Sequence, residues 1–163
     1  MNTITRFSTA SSDPFTDRFS TPLPRALRAE SAGLTWNDFL ERYSPIAGRL
    51  RLAGWTVDPR STGLRDYEAT LDIDGRSRCT RVSAPGPIAA LSSILYDAGC
   101  GVEVLSFHQQ SVAEGTATFV YCEHNGRRHW AMAIAADGVE SALRAIIAGV
   151  NILVANQGCR RSA

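Results

Sequence analysis

Thr118-Phe-Val-Tyr-Cys-Glu-His124-Asn125-Gly126-Arg-Arg-His129-Trp-Ala-Met-Ala-Ile134 alternates on both sides of a two-residue turn. Thr118, Val120 and Cys122 fall on one face, Phe119 and Tyr121 on the other. After the turn, His129, Ala131 and Ala133 alternate against Trp130, Met132 and Ile134. Period-two alternation is the mark of a strand. Asn-Gly supplies the two positive-φ residues of a type I′ turn, so the stretch predicts a hairpin over Thr116–His124 and Arg127–Ala135. The same grammar stands 51 residues earlier. Tyr67, Ala69, Leu71 and Ile73 alternate, Asp74-Gly75 turns, and a return strand runs from Arg76 to Ser83.

The copies continue outward in step. A strand precedes each hairpin, Gly48–Val57 in the first and Val102–Gln109 in the second. Leu50, Leu52 and Trp55 point inward in one; Val102, Val104 and, after a break, Phe107 do so in the other. A helix follows each hairpin. Ile88–Ala98 carries Ile88, Leu91, Leu95 and Ala98 on one side, with Gly99 as its C-cap, and Val139–Asn156 is the second. The prediction is an α+β fold, a tandem pseudo-twofold repeat of two βββα units with mostly antiparallel sheets. Each sheet is expected to have one buried and one more open face, and an open apolar face favours self-association.

Before the repeat, Thr35-x-x-Asp38 reads as a capping box variant, with Asp favourable near a helix N-terminus. Trp36, Phe39, Leu40 and Tyr43 make one apolar helix face, which Pro45 ends. Further upstream, Pro14, Pro22 and Pro24 discourage helix, with at most a helical turn near Arg25–Ala29. Phe15, Phe19, Leu23 and Leu27 are apolar enough to dock on something. The expected division is a flexible N-terminal arm over 1–33, a linker helix over 34–46, the βββα-repeat domain over 47–157 and a tail over 158–163.

Composition narrows the chemistry. At 163 residues the chain is too short for a (β/α)8 barrel, which needs about 250. A net charge of +1 gives no field for nucleic acid, and no apolar run approaches the ~20 residues of a membrane span. No secretory signal is visible at the N-terminus, so a cytoplasmic protein is expected. All 17 basic residues are Arg, which rules out Schiff-base and lysine acid/base chemistry. Cys79, Cys100, Cys122 and Cys159 contain no C-x-x-C and read as small buried hydrophobes. Cys122, His124 and His129 flank one hairpin, but a fourth ligand is missing, so no metal is expected. No G-x-S-x-G elbow occurs, Glu103 and Glu123 point to solvent, and no catalytic residues or cofactor are expected. The turn at Gly86-Pro87 presents a helix N-terminus, a type of site that takes carboxylates. Its twin lies at Gly138-Val139-Glu140.

Several of these segments resemble one family in order. Ser83-Ala-Pro-Gly86-Pro87-Ile88-Ala-Ala90 resembles the G-x-G-P-[IVL]-x-A turn of the C-terminal regulatory domain (LeuA allosteric domain) of 2-isopropylmalate synthase. Gly99-Cys-Gly-Val-Glu-Val104-Leu-Ser-Phe107 looks like its following strand. Trp130-Ala-Met-Ala-Ile134 and Ser141–Asn151 resemble its W-G-V-G-I strand and S-x-x-A-V-x-S-A-V-N helix. The resemblance spans about residues 35–156. It implies a free-standing leucine-binding, dimerising βββα pair without the catalytic barrel that condenses acetyl-CoA with 2-oxoisovalerate. The implied effector site falls on Gly86, Pro87, Ile88, Ala89, Val104, Phe107, Ser111, Thr118 and Val139. Phe107 stands where the family commonly has Tyr, and Ala84-Pro85-Gly86 replaces G-x-G. The implied partners are leucine or a related small amino acid, a second copy in a homodimer, and a separate synthase catalytic chain. The alternative is a purely structural dimer or interaction subunit that has lost ligand binding.

Overall fold

The computed structural model describes residues 12–59 and 63–154. The first unit is β1 (Leu50–Val57), β2 (Arg65–Ile73), β3 (Arg76–Ala84) and α4 (Pro87–Asp97). The second is β4 (Glu103–Val112), β5 (Gly115–His124), β6 (Arg127–Ala135) and α5 (Gly138–Val154). Each triplet is an antiparallel three-stranded sheet in sequential order, so the fold is α+β with two βββα units. Helices α1 (Pro14–Phe19), α2 (Arg25–Ser31) and α3 (Trp36–Tyr43) come before them.

Turn chemistry sets both hairpins. Asp74 and Gly75 have φ of 51° and 81°, and Asn125 and Gly126 have 50° and 76°. Both φ values are positive in each pair, as a type I′ turn requires. In the first hairpin Ile73 faces Arg76, and in the second His124 faces Arg127. Helix α4 closes as the sequence indicates. The Gly99 N–H donates to the Tyr96 carbonyl, and the Cys100 N–H to that of Leu95. This pattern is a Schellman motif with glycine in the left-handed region.

The two units share one core. Leu50, Ala69 and Leu71 of the first sheet and Leu91 and Leu95 of α4 join Val120, Ala131, Leu143, Ile146 and Val150 of the second unit. Each buried leucine, isoleucine or valine among these contributes about 1.5–3 kcal/mol relative to exposure. Helix α5 lies on the inner face of the second sheet and extends to β1. There Asn151 hydrogen-bonds the Leu50 backbone on both sides.

The outer faces of the sheets differ. That of the first sheet is polar, laced by Arg51–Asp72 and Arg81–Glu68 pairs and by a Ser83–Asp66 hydrogen bond. That of the second is apolar, with Ala117, Phe119, Trp130 and Met132 buried beneath Phe15, Leu23, Leu27, Phe39 and Tyr43. Phe15 meets Phe119 edge-on at 5.0 Å, and the Arg18 guanidinium lies 5.0 Å from the Trp36 ring. Two expectations change here. The segment read as a flexible arm is, over residues 14–31, two helices packed on the chain's own sheet; residues 1–11 lie outside the described residues. Pro14 does not block α1 because it occupies the first turn, where its missing N–H costs nothing. The apolar sheet face is therefore covered from within the chain and is not an open surface for self-association.

The cysteines follow the expectation only in part. Cys122 is buried beneath α5, where a Cβ on Gly149 would come within 2.9 Å of its Sγ. Cys79 points to the polar outer face and is exposed, because it pairs with Thr70 on that side of the alternation. Cys100 is buried but disulfide-bonded, and Cys159 lies outside the described residues.

Candidate effector site between the two units

Both helices begin at the same end of the molecule, and their caps differ. Helix α4 starts on Gly86, which has no side chain to satisfy the first N–H groups. Helix α5 follows Asp137, whose Oδ1 accepts from the Glu140 N–H at 2.8 Å. Residues 86 and 137 correspond in the repeat, so one helix start is filled by the protein's own carboxylate and its twin is not.

A cleft of about 970 Å3 lies between the units at this end. One wall is β1, from Leu52 through Trp55 to Val57. Pro87 and Ile88 of α4 and Phe107 and Gln109 of β4 form others, and Asp137 with the first turns of α5 to Arg144 completes it. A volume near 1,000 Å3 with an apolar lining and a few polar groups is typical of small-molecule sites. Neither unit makes the cleft alone.

Bulges aim its aromatic side chains. The β1–β2 register shifts between Leu52 and Gly54, and the β4–β5 register between Val104 and Ser106. Each extra residue flips the alternation. Trp55 therefore joins Leu52 at the cleft, and Phe107 is placed in the same way. The break read in the sequence before Phe107 is this bulge. Gln109 is fixed within the second unit: its Nε2 donates to the Gly138 carbonyl at 2.7 Å and to Thr118 Oγ1 at 3.0 Å. Glu140 and Arg144 form an i,i+4 ion pair of 2.6 Å along α5.

Of the nine site positions taken from the resemblance, Pro87, Ile88, Phe107 and Val139 line the cleft together. Gly86 adjoins them as the cap of α4. The other four lie off its lining. Ala89 is exposed on the first turn of α4, and Val104 packs against the shared core. Ser111 is exposed and pairs with Thr116 near the β4–β5 turn. Thr118 is fully buried, 2.7 Å from Ser141 Oγ. Sequence reasoning did not mark Trp55, Val57, Gln109 or Arg144 as site residues. The signal for Trp55 was its equivalence to Phe107, which shows only when the repeat is aligned through the bulges.

The hairpin histidines have structural partners. His124 Nδ1 is 2.8 Å from the Gly101 carbonyl oxygen, and His129 Nδ1 is 2.6 Å from that of Trp130. The Cys122 side chain faces the core, and burial pushes its thiol up to about 12. Among the described residues no three His, Cys, Asp or Glu side chains are grouped to hold a metal ion.

The family model of the LeuA allosteric (dimerisation) domain matches residues 36–154. The chain belongs to this family. Among curated proteins it is similar to the 2-isopropylmalate synthase of Renibacterium salmoninarum, 32% identical over 133 residues, covering 74% of this chain and 23% of the relative. The synthase of an Arthrobacter species is 31% identical over 131 residues, with the same coverage of 74% and 23%. That of Clavibacter michiganensis is 28% identical over 160 residues, covering 81% and 27%. The chain thus spans about a quarter of the length of these relatives. Its match is to the allosteric (dimerisation) part of the family, and both βββα units lie within the matched residues. Among the described residues no helix is long and apolar enough to cross a membrane.

Proposed function

We propose that this chain is a non-catalytic regulatory module that binds leucine or a closely related amino acid in the cleft between its two units. The carrying observation is that the cleft exists only where the units meet, at the start of both helices. A ligand there contacts both units at once and stabilises one relative arrangement of them. Regulation needs this kind of differential contact, ~1–3 kcal/mol in typical allosteric coupling.

The caps support an orientation. An incoming carboxylate is attracted to the first N–H groups of α4, where Gly86 leaves room and no side chain competes. The start of α5 is already occupied by Asp137, and Asp137 and Glu140 favour the ammonium instead. Leu52, Ile88, Phe107 and Val139 offer apolar contact.

Homodimerisation and control of a separate 2-isopropylmalate synthase chain belong to the same proposal. What supports them is membership of a family described as allosteric and dimerising, together with relatives that are 2-isopropylmalate synthases.

Thermal unfolding against each of the twenty amino acids at millimolar concentration tests the reading. A ligand at 100 times its Kd adds about 2.7 kcal/mol, a clear rise in Tm. A rise with leucine or a near relative is expected. No rise with any of them overturns effector binding and leaves a structural dimer or interaction subunit.

A further inference from the structure

We infer that Trp55 is the residue that sets the size of effector side chain the cleft accepts. The inference rests on the effector reading above and adds where the side chain goes. It starts from the division of polarity in the cleft. Every charged group on the lining, Asp137, Glu140 and Arg144, belongs to the start of α5, and the β1 wall has none. With the charged head of an amino acid held between the two helix starts, its side chain is left the β1 wall. Trp55 is the largest side chain there.

Its placement is built in. The bulge at Ala53 turns Trp55 to the cleft side of the sheet, since regular alternation from Leu52 would turn it away. Its ring is braced by Tyr67, with centroids 5.4 Å apart, and Tyr67 is itself buried. A large side chain held by a buried neighbour is a fixed wall. Rotation cannot readily move it aside for a bigger ligand, so the wall discriminates by size. The repeat-equivalent Phe107 lines the same cleft from the other unit but is held by no such ring contact among the described residues.

The experiment compares wild-type protein with Trp55→Phe and Trp55→Ala by thermal unfolding and calorimetric titration, using leucine, isoleucine, methionine and phenylalanine. The expected result is a change in ranking: Trp55→Ala shifts the Kd ratio of leucine to phenylalanine at least tenfold toward phenylalanine, with Trp55→Phe between. Ligand also changes tryptophan emission in the wild type. That change is lost in Trp55→Phe, because Trp36 and Trp130 lie in the separate cluster under the N-terminal helices. If Trp55→Ala does not fold, Trp55→Phe and the emission change decide. A ranking and an emission change that survive in folded Trp55 variants overturn the inference alone. A wild type that binds none of the four, nor any other amino acid, overturns the effector reading and the inference with it.

Discussion

Asn151 of α5 binds the backbone of Leu50 at the start of β1 on both sides. Its Nδ2 donates to the Leu50 carbonyl at 2.8 Å, and its Oδ1 accepts from the Leu50 N–H at 3.0 Å. The amide completes the hydrogen bonding of a buried residue 101 positions away and ties the second unit to the first. Asn151→Ala leaves both Leu50 groups unpaired in the interior. Buried unsatisfied groups cost about 1–3 kcal/mol each. Urea unfolding is expected to show a loss of about 2–4 kcal/mol. A loss below about 0.5 kcal/mol would show that water replaces the amide.

Gly48 lies against the same side chain, where a Cβ would come 2.3 Å from Asn151 Cγ. Gly48→Ala therefore displaces the amide and destabilises the protein by itself. In the Asn151→Ala background the obstacle is gone, and the second change adds little. Unfolding of both singles and the double measures this coupling. Strict additivity would mean that the two residues do not share the clamp.

The N-terminal helices act as a cover. A chain beginning at Leu34 loses Phe15, Leu23 and Leu27 from the cluster over Phe119 and Met132. Exposed apolar patches of this kind drive association. Light scattering after size exclusion is expected to show larger, heterogeneous species for the truncated chain. Phe119→Ala in the full chain is expected to cost ~3–5 kcal/mol. A truncated chain with unchanged mass distribution and Tm would contradict the covering role.

The hairpins, the helices after them and the repeat were legible because each rests on local chemistry. Asp74-Gly75 and Asn125-Gly126 can hardly do anything but turn, and Gly99 caps α4 as glycine should. The docking of residues 14–31 was less legible. Phe15, Phe19, Leu23 and Leu27 recur every four residues, but Pro22 and Pro24 interrupt the pattern, and the apolar face that receives Phe15 is distant in sequence. The cleft was half legible. Pro87, Ile88, Phe107 and Val139 were marked by motif, whereas Trp55 depends on a bulge and Gln109 on a contact from β4 to the start of α5 within the second unit.

Thiol and phenol titration give a pH dependence. Burial pushes the Cys122 thiol from about 9.0 to about 12. Burial first, then the hydrogen bond to Glu30, pushes Tyr43 from 10.0 to about 12. Both folded values exceed the unfolded ones, so the unfolded chain releases these protons first as pH rises. Their stabilisation is complete below about pH 9 and is lost between about pH 9 and 12. Urea midpoints across that window are expected to fall. At pH 8, iodoacetamide with peptide mapping is expected to label Cys79 and to spare Cys122 until the chain unfolds. Equal labelling of the two in the folded protein would contradict the buried placement.

Phe107→Tyr adds, at a position on the cleft lining, the hydroxyl that the family resemblance implies there. One added hydrogen bond to ligand is worth ~0.5–1.5 kcal/mol, so leucine affinity is expected to rise about 2- to 10-fold by calorimetry. Unchanged affinity would place the ligand out of reach of that ring position.

The most direct test of the central claim is an amide and indole NMR titration of the labelled protein with leucine. The account predicts shift changes concentrated at Ile88, Gly138 and Val139 and at the Trp55 indole, with the Phe119 and Trp130 cluster unmoved. Perturbations confined to the outer sheet faces, or none at millimolar leucine, would contradict an effector site between the two units.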